Sequence, residues 1–369
     1  MEKDIKSVYI HIPFCSNICS YCDFAKMFYN HDMVLKYLKA LEKEINEKNE
    51  KYQNELIETL YIGGGTPSCL NIDELKVLFA IIKKINLSKN LEFTFECNVN
   101  DITEEKIAFL SANGVNRISL GVQTFNEEIL KNMHRSHNYE EVKSKISLLK
   151  KYINNINVDL IYAYPNMTID ILKDDLEKFL SLNVDHISTY SLIIEPHTLL
   201  SINNVSNINE DLDYLMYKTI IEKLTQNGFK HYEISNFARN NRFSKHNLTY
   251  WNNLEYYGFG LNASGYMKNI RYTNTRSMSN YLASIYEYEK EIITKKDKII
   301  YELILGLRKI DGIDLNNFKT KYNIELEENK LIKKLLKENK LEIENRKLKI
   351  PYPNIYVENE VLVELLDYE

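Results

Sequence analysis

Three of the chain's five cysteines fall within eight residues, Cys15, Cys19 and Cys22, in the stretch "HIPFCSNICSYCDFAK". The spacing C-x3-C-x2-C lets one loop wrap three thiolates around a small object. Three chemistries are open to it. A disulfide uses two thiols, leaves one over and needs an oxidising compartment. A structural zinc takes four ligands, so His11, Asp23 or His31 would have to supply the fourth. An iron–sulfur cubane held by three cysteines leaves one iron open to an outside ligand. A second feature, "GGGTP" at Gly63–Pro67, offers a backbone without side chains that can approach a ligand closely. Taken alone it reads equally well as a tight turn.

The elements that must position these residues are legible as alternating runs. Strands are expected at 7–12, 59–62, 92–96, 117–122, 157–163 and 186–192. Helices are expected at 33–48, 73–85, 104–113, 127–133 with 139–152, 169–182 and 211–227. Asp101 and Glu104 fit a capping box, and Gly114 and Gly228 fit helix stops. Six β–α units in a row predict parallel strands with right-handed crossovers. Runs such as "NVDLIYA" and "HISTYSLI" predict strands apolar on both faces. A doubly wound sheet and an incomplete barrel both satisfy the pattern, and in either one ligands belong at the C-terminal strand ends.

Beyond residue 230 the rhythm changes. Residues 231–295 are rich in Asn, Tyr and Gly, and 296–369 return to three helices and a hairpin-like "KLEIENRKLKIPYP", the make-up of a winged-helix module. The stretch is mixed in charge and carries no basic stripe, and the chain's net charge is −5, so nucleic acid is not an expected partner. Met1-Glu2-Lys3-Asp4 is charged, no apolar signal region follows, and no run reaches the length of a membrane span. A cytoplasmic protein is expected. Thiols stay reduced there, which favours metal or catalytic use of the cysteines over disulfides.

The cysteine loop directly after a first strand resembles the signature of the radical S-adenosylmethionine (SAM) enzymes. The resemblance implies a [4Fe–4S] cluster on Cys15, Cys19 and Cys22. Its open iron would chelate the amino and carboxylate groups of SAM, and an electron passed through it would yield a 5′-deoxyadenosyl radical. It also implies a partial (β/α)6 barrel, followed by the small C-terminal α+β winged-helix-like domain. "GGGTP" then resembles the segment that holds SAM's methionine amino group, through Gly64, Gly65 and Thr66. Glu96, Gln123, Arg135 and Asp159 resemble further SAM-contacting positions of the coproporphyrinogen-oxidase-like branch, as do Tyr9 and Tyr21. Carboxylates suit ribose hydroxyls, and Arg and Gln suit a carboxylate.

Within that branch two features separate a heme chaperone from an oxygen-independent coproporphyrinogen III oxidase. The oxidase type carries a fourth cysteine two residues past the third; here that position is Phe24. The chaperone type carries HNxxYW, which here reads "HNLTYW" from His246 to Trp251, and the resemblance implies heme ligation by His246. Neutral imidazole is a good axial ligand, and aromatics suit a porphyrin face. Relatives' Gly-Ala-His-like segment is replaced by "GFGLNASGY", without histidine, which leaves a second axial ligand open, His134 and His137 included. The expected partners are heme, acceptor hemoproteins such as respiratory enzymes, and an electron donor such as flavodoxin or ferredoxin. Peripheral membrane association through the acceptors and a homodimer stay open. Cys69 and Cys97 are expected to be packed side chains. The chaperone reading is preferred, with radical decarboxylation of coproporphyrinogen III to protoporphyrinogen IX as the alternative.

Overall fold

A computed structural model describes residues 5–52 and 55–368; the charged Met1–Asp4 lies outside the described residues. Six strands form the centre: β1 (Ser7–Ile12), β2 (Ile57–Gly64), β3 (Leu87–Asn98), β4 (Arg117–Gln123), β5 (Asn155–Tyr162) and β6 (His186–Ser191). They pair in parallel, in chain order, without reversal. A doubly wound sheet reverses its order at a switch point, whereas an unreversed order is that of a barrel. The sequence left these two open, and the strand order decides for the partial barrel.

The helices His31–Tyr52, Ile72–Ile82, Glu104–Ala112, Tyr139–Lys150, Ile169–Ser181 and Glu210–Gln226 follow the strands and cover the outside. The outward residues of each strand are apolar and fully buried: Val8, Ile10 and Ile12 on β1, Phe93 and Phe95 on β3, Val158 and Leu160 on β5. Phe79 of the second helix packs on both Phe93 and Phe95, ring centroids 5.7 and 6.4 Å away. The alternate set faces inward and is polar. Ser7 and Thr59 bond across β1 and β2 at 2.8 Å, Ser119 and Asn157 across β4 and β5 at 2.8 Å, and Asn157 and His186 across β5 and β6 at 2.6 Å. The expectation of two apolar faces is therefore corrected. Period-2 alternation puts an apolar face on the helices and a hydrogen-bonded polar face inside the barrel.

A second correction concerns a cap. Thr103, not Asp101, is the N-cap of Glu104–Ala112 and accepts from Lys106 N at 3.3 Å. The Asp101 carboxylate instead accepts from Ser16 and Ser68, tying the cysteine loop to the segment after β2. Gly114 and Gly228 take φ of +94° and +81°, as helix stops should.

The sheet does not end at residue 230. Tyr257–Phe259 joins β1 in parallel, and Asn236–Ala238 pairs antiparallel with β6 and with Lys230–Glu233. A separate antiparallel sheet, Ser264–Met267, Ile270–Asn274 and Glu287–Ile292, follows. The C-terminal part holds helices Lys295–Gly306, Leu315–Tyr322 and Lys330–Lys337 and the hairpin Glu342–Glu344 with Lys347–Lys349. It is fastened to the barrel by Ile234 N donating to Arg308 O and Ile310 N to Tyr232 O. Among the described residues no helix is long and apolar enough to cross a membrane.

Candidate functional site

The cysteine loop leaves β1 at its C-terminal end. Phe14–Cys15 pairs with Met27–Phe28, and Tyr29 N donates to Cys15 O at 2.9 Å, so the loop is closed at its base. Ser20 fastens the far side, its N and Oγ donating to Met133 O and Asn132 O. All five cysteines are free thiols. Cys15, Cys19 and Cys22 lie close enough to repel one another as thiolates, and burial pushes Cys15 up to about 11 and raises Cys22. Thr66 Oγ1 donates toward Cys15 Sγ at 3.6 Å. Lys26 partly offsets the rise at both thiols, and buried thiols of this kind give up their protons to a metal centre, whose positive charge stabilises the thiolates.

The fourth ligand that zinc would need does not come from the two histidines proposed for it. His11 Nε2 faces Ala25 O at 2.8 Å and its Nδ1 the Tyr9 hydroxyl at 3.0 Å, while His31 pairs with Glu74 at 2.7 Å. A loop of three thiols with both neighbouring histidines already engaged suits a cubane with one open iron, Asp23 being the one zinc-ligand candidate whose side chain these bonds do not occupy.

Gly63–Thr66 lies against this loop. Gly65 N donates to Ile12 O at 2.9 Å and Thr66 N to Phe14 O at 2.7 Å. Gly64 has φ +108°, and a Cβ there would fall 2.3 Å from the His11 ring; one on Gly63 would fall 2.6 Å from the Glu96 carboxyl carbon. The glycines thus serve close packing against protein as much as approach to a ligand.

Glu96 accepts from Gly64 N at 3.0 Å and from the Tyr61 hydroxyl at 2.7 Å. Burial pushes its carboxyl up to about 7, with the Asp159 charge adding to the rise, and Asp159 itself is pushed up to about 6 by burial. Asn157 holds Asp159 at 2.7 Å. Arg135 donates to Tyr21 at 3.1 Å, Asn98 at 2.8 Å and Gly121 O at 2.9 Å. Gln123 ends β4 with φ +78°, an uncommon conformation for a residue with a side chain, and its buried Oε1 has no hydrogen-bond partner among the described residues. A strained residue with an orphaned acceptor is what a polar ligand site leaves behind. Glu96, Gln123, Arg135 and Asp159 stand in or after the C-terminal parts of their strands, with Arg135 on the loop residue Tyr21, while Tyr9 is mid-strand opposite Tyr61 with its hydroxyl on His11 Nδ1; the donors and acceptors present fit SAM's amino, carboxylate and ribose groups.

His246 is not part of that group. It is 1% exposed, on the helix Lys245–Trp251, whose N-cap is Ser244 and whose first N–H groups donate to Glu92. Its Nδ1 meets Thr59 Oγ1 at 2.9 Å and its Nε2 the Tyr250 hydroxyl at 2.8 Å. Burial, with the Arg117 charge, lowers it to about 3, so the imidazole is neutral at pH 7. His137 is bonded to Val122 O at 3.0 Å and His134 to Ile18 O at 3.3 Å. Cys97 points outward from β3 and is buried, while Cys69 is partly buried against the core. In "GFGLNASGY", Gly260 (φ +102°) donates to Glu44 and Gly258 to Tyr272.

Sequence reasoning missed Tyr61, Asn98, Asn157 and Arg117. Tyr61 bridges the two groups: its ring stands 5.2 Å from His246 while its hydroxyl holds Glu96. Arg117 is 2% exposed and its Nε has no acceptor among the described residues. Inward parity was the available signal, since Tyr61 sits two residues before Gly63 and Arg117 two before Ser119 on their strands.

Comparison with known proteins places this geometry. Residues 9–179 match the model of the radical SAM superfamily. The chain is 42% identical to the heme chaperone HemW of Lactococcus lactis over 94% of this chain and 92% of the relative, and 38% identical to that of Bacillus subtilis over 88% of each. The chain belongs to the HemW branch of the radical SAM superfamily. HemW of Escherichia coli is 31% identical over 79% of both chains. The solved structure of the E. coli coproporphyrinogen III oxidase HemN, a radical SAM enzyme, superposes with a TM-score of 0.86 over 98% of this chain and 90% of that one, at 20% identity, which establishes the shared fold. Membership of the superfamily implies a [4Fe–4S] cluster and SAM.

Proposed function

We propose that this HemW-type protein binds heme and delivers it to acceptor hemoproteins in the cytoplasm, respiratory enzymes among them. The observation that carries the reading is the near full-length similarity to heme chaperones. Phe24, in place of the oxidase-type fourth cysteine, is 59% exposed beside the cluster loop and supports it. Cys15, Cys19 and Cys22 would hold the cluster. Gly64, Gly65, Thr66, Glu96, Gln123, Arg135, Asp159, Tyr9 and Tyr21 would hold SAM. When bound, the cluster supplies one-electron reducing chemistry at SAM, fed by a flavodoxin- or ferredoxin-like donor.

The residues' own work can be described. Arg135 fixes Tyr21, and so the cysteine loop, to the end of β4. Tyr61 and Gly64 hold the Glu96 carboxyl, which would serve as the acceptor for ribose hydroxyls. Gln123 Oε1 offers an acceptor that no group among the described residues uses. Heme ligation by His246 requires one of its two hydrogen bonds to open, because both ring nitrogens are engaged. Residues 1–230, 231–295 and 296–369 are proposed as barrel, extension and winged-helix-like module.

The test is anaerobic reconstitution followed by a hemin titration beside a coproporphyrinogen turnover assay with SAM and reductant. Heme binding without turnover is expected. Robust turnover without heme binding would favour the oxidase reading instead.

A further inference from the structure

We propose that the barrel interior holds a small carboxylate-type anion, of the size of formate or hydrogencarbonate, on a row of inward side chains formed by Thr94, Arg117 and Asn155. The assignment does not depend on what the protein carries or delivers. Thr94 of β3 pairs in register with Arg117 of β4, and Arg117 with Asn155 of β5. All three share the inward parity of Glu96, Ser119 and Asn157, two residues further along the same strands. Neighbouring strands lie about 4.8 Å apart, so the row spans roughly 10 Å at the backbone and less toward the barrel axis.

Three observations point to this ligand. The first is a shared deficit. Thr94 Oγ1, Arg117 Nε and Asn155 Oδ1 are each buried and without a hydrogen-bond partner among the described residues. Buried polar atoms are rarely left so, and here three fall side by side on adjacent strands. The next row shows the contrast. Asn157 bonds Ser119 at 2.8 Å and His186 at 2.6 Å, and Glu96 is held by Tyr61 and Gly64. The second observation is charge. Arg117 is 2% exposed, and a buried guanidinium is costly without an anion. The carboxylates nearest in register are held by other donors: Glu92 by Lys245 N and His246 N, Glu96 as above, and Asp159 by Asn157. Burial, with the Arg117 charge, keeps His186 and His246 neutral at pH 7, so neither imidazole shares the positive charge. The third is fit. The guanidinium fork matches a planar carboxylate, the Thr94 hydroxyl can donate to it, and the Asn155 amide can donate or accept. Enclosure sets the size, because Thr94 is fully buried and Arg117 nearly so. The row also reaches the cofactor end, since the Arg117 charge acts on both Glu96 and Asp159.

Thermal unfolding and calorimetry of the full-length protein test the assignment, with sodium formate and sodium hydrogencarbonate as probes. Sodium gluconate at equal ionic strength is the control, a carboxylate too large for the enclosed row. In the wild type Tm is expected to rise with formate or hydrogencarbonate and to saturate, and to stay flat in gluconate. Arg117→Met, which keeps a long apolar stem without the charge, should abolish the response. Thr94→Val keeps the shape and removes a hydroxyl that has no partner to lose; it should raise the Kd for formate at least about tenfold. Arg239→Met, on a partly exposed arginine paired with Asp185, should respond as the wild type does. If Arg117→Met does not fold, Thr94→Val decides. A wild-type formate response in folded Arg117→Met or in Thr94→Val would mean that water alone fills the row, and would overturn the assignment. An equal rise of Tm in gluconate would mean a general salt effect, and would overturn it too, as would a wild type that responds to neither probe.

Discussion

At the C-terminal strand ends, backbone is packed on backbone. Gly65 and Thr66 bond to Ile12 and Phe14, Gly64 has no room for a side chain against His11, and three cysteines share one closed loop. At the N-terminal ends, contacts run through side chains. Ser7, Thr59, Thr249, His246 and Tyr250 form a chain of hydroxyls and an imidazole under a wide cavity. The first arrangement is rigid and written in short motifs. The second is assembled from residues that lie up to 242 positions apart in sequence and is held by hydroxyls and an imidazole, groups that can each donate or accept. A fixed site suits a resident cofactor, and an adjustable one suits a cargo that must leave.

Substitutions can break or sharpen this contrast. Cys15→Ala, Cys19→Ala or Cys22→Ala should each abolish the iron–sulfur absorbance after anaerobic reconstitution while leaving the hemin titration intact. Bound zinc in place of a cluster would remove the basis for the contrast. Gly64→Ala should cost about 3 kcal/mol or more, from the positive φ and the clash with His11, read as a fall in urea midpoint. Arg135→Ala removes charge-assisted bonds to Tyr21, Asn98 and Gly121, and SAM affinity should fall ~100-fold by calorimetry, with hemin binding unchanged.

Glu96 makes a pH prediction. Its folded pKa is raised from 4.5 to about 7, so the protonated form is the one the fold favours. The stability this group contributes is complete below about pH 4.5 and is lost as pH rises to about 7. Urea unfolding of the SAM-free protein at pH 5 and pH 8 should show that Glu96→Gln removes this part of the slope; an unchanged slope would mean that Glu96 is ionised throughout. The smallest effect belongs to the adjustable end. Tyr250→Phe removes one buried hydrogen bond to His246 and should cost about 1 kcal/mol.

The same contrast explains what could be read from the sequence. All six strands of the barrel were legible as short β-rich runs between helical ones, although their inward polar residues were not, because Asn157 and Ser188 sit within runs that read as apolar on both faces. The strand ends were not: β3 begins at Leu87 rather than 92, because Leu87 pairs with Ile57 of β2, while the poor strand formers Ser88, Lys89 and Asn90 fall in the register shift before Glu92 pairs with Thr59. The cysteine loop and the glycine turn were legible because their chemistry is local. The convergence of Tyr21, Arg135 and Asn98 was not, because it depends on the distance between strand ends. The enclosure of His246 was not, because the motif does not show that Thr59 and Tyr250 already hold both nitrogens.

Tyr61 belongs to both ends at once. Its ring packs on His246 and its hydroxyl holds Glu96. If a ligand at Glu96 moves this ring it changes the contact beside His246, and the converse holds for a ligand at His246. Thermodynamic reciprocity makes the two effects equal: whatever factor SAM applies to the affinity for heme, heme must apply to the affinity for SAM. One phenol ring thereby gives the loading of a cargo and the presence of a cofactor a common reading.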